Sequence, residues 1–348
     1  MRIIISTVQI PFITGGAEFL AQNLKSAFIE NGHEAEIVTI PFMDSPLERL
    51  EDHIVASRLL ELTYGWAGKS DLCIGLKFPA YFIPHENKVL WILHQHRNAY
   101  DLFNAPSSTI KDDETGRKFR DIVYRADNTY LPEAKRLYTI ADNVAGRLKR
   151  YNGLNAQTLY HPCPDHDKFY AEEYGDYILM PSRINVTKRQ MLALEAMEHV
   201  KSDIKLYLVG QAGTEHERRQ LLETIRQKGL EDKVRYFDFV STGRKLELYA
   251  NARAVLFIPI DEDYGYITLE AMEAARAVIT AKDSGGPLEF VENEKNGLIV
   301  SPEPLEIAKA IDEFAHSKKM ARQMGIAAKT RLSDMNITWE NVVKELTK

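Results

Sequence analysis

The amino-acid sequence predicts an α/β protein with parallel sheets, because short apolar runs typical of buried strands alternate with helix-periodic runs along nearly the whole chain. This alternation starts near the amino terminus and starts anew near residue 176. The length agrees with two series, since 348 residues correspond to about two domains at roughly 150 residues each. We therefore expect two α/β domains in one chain.

The first series begins at the amino terminus. Residues 2–6 form an apolar run that predicts a strand, and residues 17–31 repeat apolar side chains at every third or fourth position, which predicts a helix. Gly32 ends that helix, because glycine readily adopts the left-handed conformation found at helix ends. Residues 36–40 predict the next strand.

The second series has the same alternation with short connections. Its predicted strands are residues 176–180, 205–209, 234–237, 254–258 and 278–280. Its predicted helices are residues 190–199, residues 215–228, a helix that opens near residue 269, and a helical tail from about residue 313.

The boundary between the two series is predicted at residues 161–168, where two prolines among charged residues interrupt any periodicity. This gives an amino-terminal domain of residues 1–163 and a carboxy-terminal domain of residues 164–348. Two Rossmann-like domains that face each other across a cleft are the simplest architecture for such a chain.

The composition excludes several classes of protein. A net charge of -6 argues against a nucleic-acid binder, which usually carries a strong basic excess. Cys73 and Cys163 are the only cysteines, so we expect no disulfide framework and no cysteine-based metal cluster. The first apolar run is too short for a signal peptide, and no stretch approaches a membrane span. We expect a cytoplasmic protein.

The most informative stretch lies where a predicted strand gives way to a helix, because Glu262 and Glu270 stand eight positions apart across that junction. In a doubly wound sheet, the loop after a strand borders the ligand crevice, and the following helix offers free N–H groups to phosphate. A glutamate in the first turn of that helix can accept two hydroxyls of a ribose. Because the spacing alone is a weak signal, two solvated surface acids are the alternative.

Two patterns could supply positive charge to neutralise a diphosphate: a pair of cationic side chains, or a pair of aspartates that holds a metal ion. Arg183 and Lys188 follow the first predicted strand of the second series, where an arginine can bind two phosphate oxygens and a lysine adds a mobile charge. Ordinary solvated charges are the alternative there. Asp261 and Asp263 give the acidic loop a D-x-D form, with which a different class of sugar-transferring enzymes holds Mg²⁺ or Mn²⁺. Since the two cations can fill that role, we expect neither a metal nor a cofactor.

Two further patterns lie at strand ends of the first domain. Gly15 and Gly16 open the first helix, where glycines let backbone N–H groups approach an anion or sugar, although a tight turn is the commoner explanation. The pattern is not G-x-G-x-x-G, which leaves a nicotinamide cofactor poorly supported. His94 and His96 end an apolar run and would face the cleft, where a histidine can bind a sugar hydroxyl or assist proton transfer. A structural histidine is an equal alternative for each.

Residues 117–151 form a basic region, with nine lysines or arginines against four aspartates or glutamates. Such a charge excess usually marks a solvated helix face. The alternative is a docking surface for anionic lipid or a phosphorylated acceptor, and hence peripheral contact with the inner face of a membrane.

Together these motifs resemble the retaining, nucleotide-sugar-dependent glycosyltransferases of group 1, also called family 4. The matching stretches are Gly15-Gly16-Ala17-Glu18, Arg183 with Lys188, residues 262–272, residues 285–291, and Asn296-Gly297-Leu298. Each stretch is modest alone, but their order and setting are highly specific. The resemblance implies the GT-B architecture, in which two Rossmann-like domains flank a cleft.

The resemblance also implies a role for each group. Arg183 and Lys188 would bind the donor diphosphate, Glu270 the ribose and Glu262 the donor sugar. Gly15 and Gly16 would contact the phosphate or sugar through the backbone, and His94 would line the sugar pocket, with His96 as the fallback. Arg183, Lys188, Glu262 and His94 are the expected catalytic groups. The other expected donor-binding residues are Tyr264, Gly265, Tyr266, Ile267 and Thr268, and we expect the base to be recognised in the loop of residues 237–243, which contains Phe239.

The implied reaction moves a sugar from a nucleoside diphosphate to an acceptor hydroxyl with retention, by front-face attack and without metal, in the synthesis of a glycan, glycolipid or cell-surface polysaccharide. A non-catalytic protein of the same fold that binds nucleotide sugar or glycan is the alternative. Ala275 and Ala277 stand where the family usually has Gly and Pro, which predicts an altered loop geometry. Residues 90–103 are far less standard and leave the acceptor open.

Overall fold

The computed structural model describes residues 1–12, 15–65, 68–105 and 108–348. Its contacts divide the chain into a first unit, Met1–Pro164 with Thr338–Lys348, and a second unit, Asp165–Ile337. The boundary predicted after residue 163 lies one residue from the observed one. The predicted second domain, residues 164–348, needs correction at its end, because Thr338–Lys348 packs with the first unit.

The first unit is built on parallel strands with helices between them. Its strands are β1 (Arg2–Gln9), β2 (Glu34–Pro41), β3 (Tyr64–Gly65), β4 (Gly68–Lys69), β5 (Leu72–Gly75), β6 (Lys88–Ile92), β7 (Arg136–Thr139) and β8 (Gln157–Thr158). Its helices are α1 (Gly16–Glu30), α2 (Arg49–Leu59), α3 (Glu114–Tyr130), α4 (Asp142–Asn152) and the last helix of the chain, α12 (Trp339–Leu346). The sheet has the order β2-β1-β5-β6-β7-β8, and β3 and β4 form a separate antiparallel hairpin.

The second unit repeats this construction. Its strands are β9 (Tyr177–Pro181), β10 (Lys205–Val209), β11 (Val234–Phe237), β12 (Ala254–Leu256), β13 (Val278–Ala281) and β14 (Gly297–Val300). Its helices are α5 (Gln190–Met197), α6 (Glu215–Gln227), α7 (Thr242–Ala250), α8 (Tyr266–Glu273), α9 (Pro287–Phe290), α10 (Pro304–His316) and α11 (Lys318–Asp334). Short 3-10 turns occur at Ala80–Phe82, Arg97–Ala99, Leu131–Glu133, His166–Lys168 and Val186–Lys188.

The strand order of the second sheet determines where a ligand can bind. The order is β11-β10-β9-β12-β13-β14, with every neighbouring pair parallel. The chain therefore builds outward from β9 in one direction and then returns to build from its other side. The carboxyl ends of β9 and β12 meet at this reversal, which is where open α/β sheets bind ligands.

Apolar side chains on both faces of the second sheet explain why most of its strands could be predicted from the sequence. Ile178, Leu206 and Ile279 lie within the sheet and are buried against apolar side chains of the covering helices, such as Leu194 and Ile307. A strand covered on both faces carries a nearly continuous apolar run, which is the pattern that the sequence shows.

The last helix, α12, is held to the first unit by side chains that donate hydrogen bonds to its backbone carbonyls. The Arg136 guanidinium donates to the carbonyls of Glu345, at 2.9 Å, and Leu346, at 3.1 Å. The Tyr138 hydroxyl donates to the Glu345 carbonyl at 3.1 Å. These groups satisfy carbonyls at the carboxyl end of α12 that the helix itself leaves without partners.

His161 lies in the same region, between two tryptophans. Its ring stacks on Trp339 with centroids 5.8 Å apart and meets the edge of Trp91 at 5.3 Å. The ring is buried, and this burial lowers the pKa of His161 to about 3, against an opposing hydrogen bond to the Pro162 carbonyl. His161 is therefore neutral in the folded protein at neutral pH.

We expect His161 to make the first unit sensitive to acid. As the pH falls below about 6.5, the unfolded state takes up a proton at this residue and the folded state does not, so the free energy of unfolding falls until the pH reaches about 3. The His161→Phe variant keeps an aromatic ring and removes the titration. The difference in free energy of unfolding between the variant and wild type should therefore increase by about 2.5 kcal/mol as the pH falls from 7 to 4.5.

Denaturant unfolding of both proteins across this pH range measures the difference. The comparison with wild type is needed because other groups titrate too: burial raises the pKa of Asp127 to about 7, which opposes the effect of His161 in the same window. Asp127 is present in both proteins, so its contribution cancels. Parallel stability profiles for the two proteins would contradict the assignment to His161.

The turn after α8 is formed by an alanine in the left-handed conformation. Ala275 has φ +51°, and its N–H donates to the Met272 carbonyl at 3.0 Å. Glycine adopts this conformation without steric cost, whereas an alanine loses about 1 kcal/mol. The turn therefore uses a backbone conformation that suits the glycine usual in the family. An altered loop geometry stays a prediction.

Candidate functional site

The predicted phosphate-binding cations lie on the loop that leaves β9. Arg183 is exposed and forms no ion pair with the other residues that the structure describes. The loop is well anchored, because the Gln190 side-chain amide donates to the Arg183 carbonyl at 3.0 Å and the Ile184 N–H donates to the Gln211 carbonyl at 2.9 Å. Arg183 thus presents a free guanidinium on a fixed backbone.

A glycine in the neighbouring connection makes this anchoring possible. Gly210 follows β10 and has φ +145°, a conformation that side chains rarely adopt. A Cβ atom at this position would lie 2.2 Å from the Ser182 carbonyl oxygen. Only glycine lets the end of β10 approach the loop after β9 so closely.

Lys188 is paired with one of the two glutamates. The Asn185 carboxamide accepts from the Lys188 N–H at 3.1 Å and so fixes the turn that carries the lysine. The Lys188 ammonium forms an ion pair with Glu262 and lies 5.4 Å from the centre of the Phe257 ring. Both partners of the pair are partly exposed, at 16% for Lys188 and 26% for Glu262. The pair therefore remains accessible to a ligand.

The loop that carries Glu262 is held by its neighbours through the backbone. The Glu262 N–H donates to the Ser284 carbonyl at 2.9 Å, and the Gly286 N–H donates to the Glu262 carbonyl at 2.8 Å. A Cβ atom on Gly286 would lie 2.6 Å from the Tyr264 carbonyl oxygen, so this approach also requires glycine. Ser284 and Gly286 thus fix the position of the acidic loop.

A second ion pair joins the β9 loop to the same region. The Arg189 guanidinium donates to both carboxylate oxygens of Asp283, at 2.7 Å and 2.6 Å. This pairing, together with desolvation that opposes it, leaves the pKa of Asp283 below its usual value. Because the guanidinium is engaged in this bidentate pair, Arg189 joins the loops rather than offering a free charge.

Helix α8 begins directly after the acidic loop. Gly265 precedes it with φ +90°, and the Thr268 N–H donates back to the Gly265 carbonyl at 2.9 Å. Tyr264 and Thr268 are buried, whereas Tyr266 and Ile267 are half-buried at the first turn. The first N–H groups of a helix lack partners within it and attract anions, so this turn is suited to phosphate.

Glu270 lies in the same helix, with only 9% of its surface exposed. The Lys245 ammonium binds its Oε1 at 3.0 Å, and the Tyr249 hydroxyl donates to its Oε2 at 2.6 Å. Two oxygens of a carboxylate have about four acceptor positions, so two remain for ligand hydroxyls. The solvated-acid alternative is therefore wrong for Glu270.

These groups share one edge of one sheet. Arg183 and Lys188 follow β9, while Glu262, the α8 amino terminus and Glu270 follow β12, the strand paired with β9. The arrangement can bind an anion next to acceptors for hydroxyl groups. Within the described ranges, no three His, Cys, Asp or Glu side chains come together as a metal site.

Phe239, predicted to lie near the base, follows β11 at the same edge of the sheet. Its side chain is 75% exposed. Two strands, β10 and β9, separate β11 from β12. A role in base recognition stays a prediction.

The remaining predicted site residues lie in the first unit. Gly15 is the residue before α1, and its N–H donates to the Glu18 carboxylate at 2.7 Å, while Gly16 is the first residue of that helix. His94 is half-buried two residues after β6, and its Nδ1 lies 2.6 Å from the Gln95 carbonyl oxygen. A role for these three residues in donor binding stays a prediction.

His96, the fallback for His94, has the surroundings of a structural histidine. Its ring is buried and stacks on Phe78 with centroids 5.0 Å apart. Burial lowers the pKa of His96 to about 4, so the side chain is neutral at pH 7. These contacts favour a packing role for His96.

The cations of the basic region are less available to an anionic partner than the composition suggests, because several of them have contacts within the chain. Arg117 pairs with Asp112 at 2.9 Å, and Arg147 lies 3.6 Å from Asp101. Arg136 is committed to the end of α12, and the guanidinium of Arg120 lies over the Phe103 ring at 4.2 Å. At least these four of the nine cations therefore have partners within the chain, and membrane contact stays a prediction. No helix in the described part of the chain is long and apolar enough to cross a membrane.

Lys245 and Tyr249 are the members of the site that sequence reasoning missed. They lie 25 and 21 positions before Glu270, on a helix that was not predicted. A lysine and a tyrosine four residues apart are common on helices, so only the fold reveals that both contact one carboxylate.

Comparison with known proteins agrees with this geometry. The sequence model of the family described as "Glycosyl transferases group 1" matches residues 165–331. The human alpha-1,3/1,6-mannosyltransferase ALG2 is 28% identical over 199 residues, which cover 53% of this chain and 47% of the human protein. The D-inositol 3-phosphate glycosyltransferase of Corynebacterium diphtheriae is 26% identical over 125 residues, covering 36% of this chain and 29% of that protein. The chain thus spans about half the length, or less, of these curated relatives.

Solved structures resemble the whole chain. Sucrose-phosphate synthase from Thermosynechococcus elongatus has a TM-score of 0.78 at 17% identity, covering 99% of this chain and 97% of that one. Anabaena Alr3699/HepE in complex with UDP and glucose has a TM-score of 0.73 at 16% identity, covering 100% and 98%. At these identities the likeness establishes the fold alone. The chain has the GT-B fold, and residues 165–331, nearly all of its second unit, match the group 1 glycosyltransferases.

Proposed function

We propose that this protein transfers a sugar from a nucleoside-diphosphate sugar to an acceptor hydroxyl, with retention of configuration and without a divalent metal. One observation carries the proposal: the cations Arg183 and Lys188 and the amino terminus of α8 lie at the carboxyl edge of one sheet together with Glu262 and Glu270. The match of residues 165–331 to the group 1 family supports the same reaction.

The chemical difficulty of such a transfer is the charge that develops on the departing diphosphate. Arg183 can bind two phosphate oxygens through its planar guanidinium, and Lys188 can add a second positive charge. The N–H groups of the first turn of α8 add a positive dipole end that needs no reorganisation. These groups would stabilise the leaving group as the glycosidic bond breaks.

The two carboxylates would orient the donor. Glu270, held by two side chains, would accept the ribose hydroxyls, and Glu262 would accept hydroxyls of the sugar once Lys188 has moved to the phosphate. No carboxylate is assigned as a covalent nucleophile, so we propose attack by the acceptor on the same face as the departing diphosphate. His94 is proposed to line the sugar pocket.

The acceptor is proposed to be a glycan or a lipid-linked saccharide, met in the cytoplasm. The names of the relatives include a mannosyltransferase and an inositol phosphate glycosyltransferase, so they favour no single acceptor. Contact with a membrane surface would use exposed cations of the basic region, such as Arg125 and Arg150.

The proposal is tested in two steps. Thermal unfolding is first measured with GDP, UDP, ADP and dTDP, because the nucleotide that binds raises the unfolding temperature by mass action. Release of that nucleoside diphosphate from its sugar conjugates is then measured with EDTA and without it. Release that persists in EDTA supports a metal-independent transferase. Binding without release favours the non-catalytic alternative, and inhibition that Mn²⁺ reverses favours a metal held by Asp261 and Asp263.

A further inference from the structure

We propose that Tyr249 and Lys245 are positioning residues that fix the Glu270 carboxylate for the two ribose hydroxyls of the donor. This inference rests on the proposed function, because it assumes a nucleotide ligand. It extends that function to two side chains on α7 that are expected to touch no part of the ligand themselves.

The two side chains approach Glu270 from one face of α7. Residues four apart on a helix lie on the same side, one turn above the other. Accordingly the Lys245 ammonium contacts Oε1 at 3.0 Å and the Tyr249 hydroxyl contacts Oε2 at 2.6 Å. With one donor on each oxygen, rotation of the carboxylate about its last bond would break both contacts. The plane of the carboxylate is therefore fixed.

The tyrosine is itself held firmly. Tyr249 is fully buried, and its ring meets the edge of Phe169 with centroids 5.4 Å apart. The backbone carbonyl of Tyr249 accepts from the Arg276 guanidinium at 3.2 Å, at the carboxyl end of the helix. The hydroxyl of Tyr177 donates to the adjacent Leu248 carbonyl at 2.7 Å. A rigid support of this kind is what a precise hydrogen-bonding site requires.

The fixed carboxylate matches a vicinal diol. Two of its acceptor positions are occupied by the tyrosine and the lysine, and the remaining two can accept from neighbouring hydroxyls of one ribose. Without the Tyr249 hydroxyl, the carboxylate can turn away, and part of its capacity to distinguish a ribose from a deoxyribose is lost. A tyrosine that serves packing alone would leave that distinction unchanged.

The experiment compares two ligands. The probe is whichever of GDP, UDP and ADP stabilises the wild-type protein, together with its 2′,3′-dideoxy analogue, and calorimetry gives both dissociation constants. We expect wild type to bind the dideoxy analogue at least about tenfold more weakly, because a site built for hydroxyls rejects a ligand that lacks them. In Tyr249→Phe this ratio should fall about three- to tenfold, with the affinity for the analogue nearly unchanged.

Tyr177→Phe is the matched control, because it removes a partly buried hydroxyl that contacts the same helix but not Glu270. Its ratio should equal that of wild type. In steady state, Tyr249→Phe should raise KM for the donor by the same factor and leave kcat within about twofold, as expected for contacts made equally in ground and transition states.

The outcomes separate this inference from the proposed function. If wild type binds none of the nucleoside diphosphates, the proposed function falls and the inference falls with it. If wild type binds and Tyr249→Phe keeps the full ratio, the inference alone is overturned. Should Tyr249→Phe fail to fold, Lys245→Met is measured in its place with the same expected drop, since the lysine is 28% exposed and its loss is better tolerated.

Discussion

Replacing Arg183 by alanine should lower turnover by about 10²- to 10³-fold, the usual cost of losing one group that stabilises developing charge. Lys188→Ala should have an effect of the same order. Arg183 is exposed and has no internal ion pair among the described residues, so its removal should not disturb the fold. Turnover of the donor, with thermal unfolding as the check on folding, measures both variants.

The matched control is Arg226→Ala. Arg226 is also exposed, but it lies in the last turn of α6, at the far end of a helix that starts beside the carboxyl edge of the sheet. Its removal should leave turnover nearly unchanged. Arg183→Lys separates charge from geometry: if the guanidinium binds two phosphate oxygens, lysine should restore only part of the rate. Turnover near wild type in both Arg183→Ala and Lys188→Ala would refute the assignment of the diphosphate to these residues.

Five of the six strands of the second sheet could be predicted because burial imposes an apolar run, whereas β14, in which two of four residues are only half-buried, was not predicted. The same reasoning overestimated one strand, since residues 254–258 were predicted and the structure has Ala254–Leu256. Phe257 and Ile258 are as deeply buried as the strand itself, but they lie in an irregular segment. The Phe257 N–H still donates to the Ile279 carbonyl of β13 at 2.9 Å. An apolar run therefore reports burial but does not mark the residue at which a strand ends.

The position of the last helix could not be predicted for a different reason. It is held by carbonyl groups of Glu345 and Leu346, and every residue has a carbonyl, so these contacts leave no pattern in the sequence. The amphipathic spacing of its residues predicts a helix but does not indicate which part of the protein the helix packs against. Lys245 and Tyr249 were missed for a related reason. They lie more than 20 positions from Glu270, and only the fold shows that they contact it.

The positions of Arg183, Lys188, Glu262 and Glu270 after the ends of strands could be predicted because these residues lie next to features that the sequence reveals. A buried strand followed by a loop and a helix marks a carboxyl edge, which is where ligands bind in open α/β sheets. Whether two such loops are adjacent depends on strand order, which the sequence did not contain. In the structure β12 pairs with β9, so the loops that follow these two strands are adjacent.

This adjacency leads to a prediction in which binding and turnover change in opposite directions. In the free protein Lys188 is paired with Glu262, so a diphosphate must draw the lysine away from that carboxylate. Glu262→Gln removes the competing charge and also the repulsion between carboxylate and phosphate. The dissociation constant for the nucleoside diphosphate should therefore fall about fivefold, the magnitude expected for a partly exposed ion pair.

Turnover of the same variant should fall by about 10²-fold, because the sugar loses a charged acceptor that orients it in the transition state. Glu247→Gln is the matched control: Glu247 is also a partly exposed glutamate in an ion pair, with Arg244 at 2.7 Å, and it should change neither quantity. Calorimetry with the nucleotide and steady-state turnover with its sugar give the two measurements. Unchanged nucleotide affinity in Glu262→Gln would show that the ion pair does not compete with the phosphate, and an unchanged rate would remove Glu262 from the sugar site. The opposite signs matter because a variant that had merely lost its fold would lose affinity and rate together.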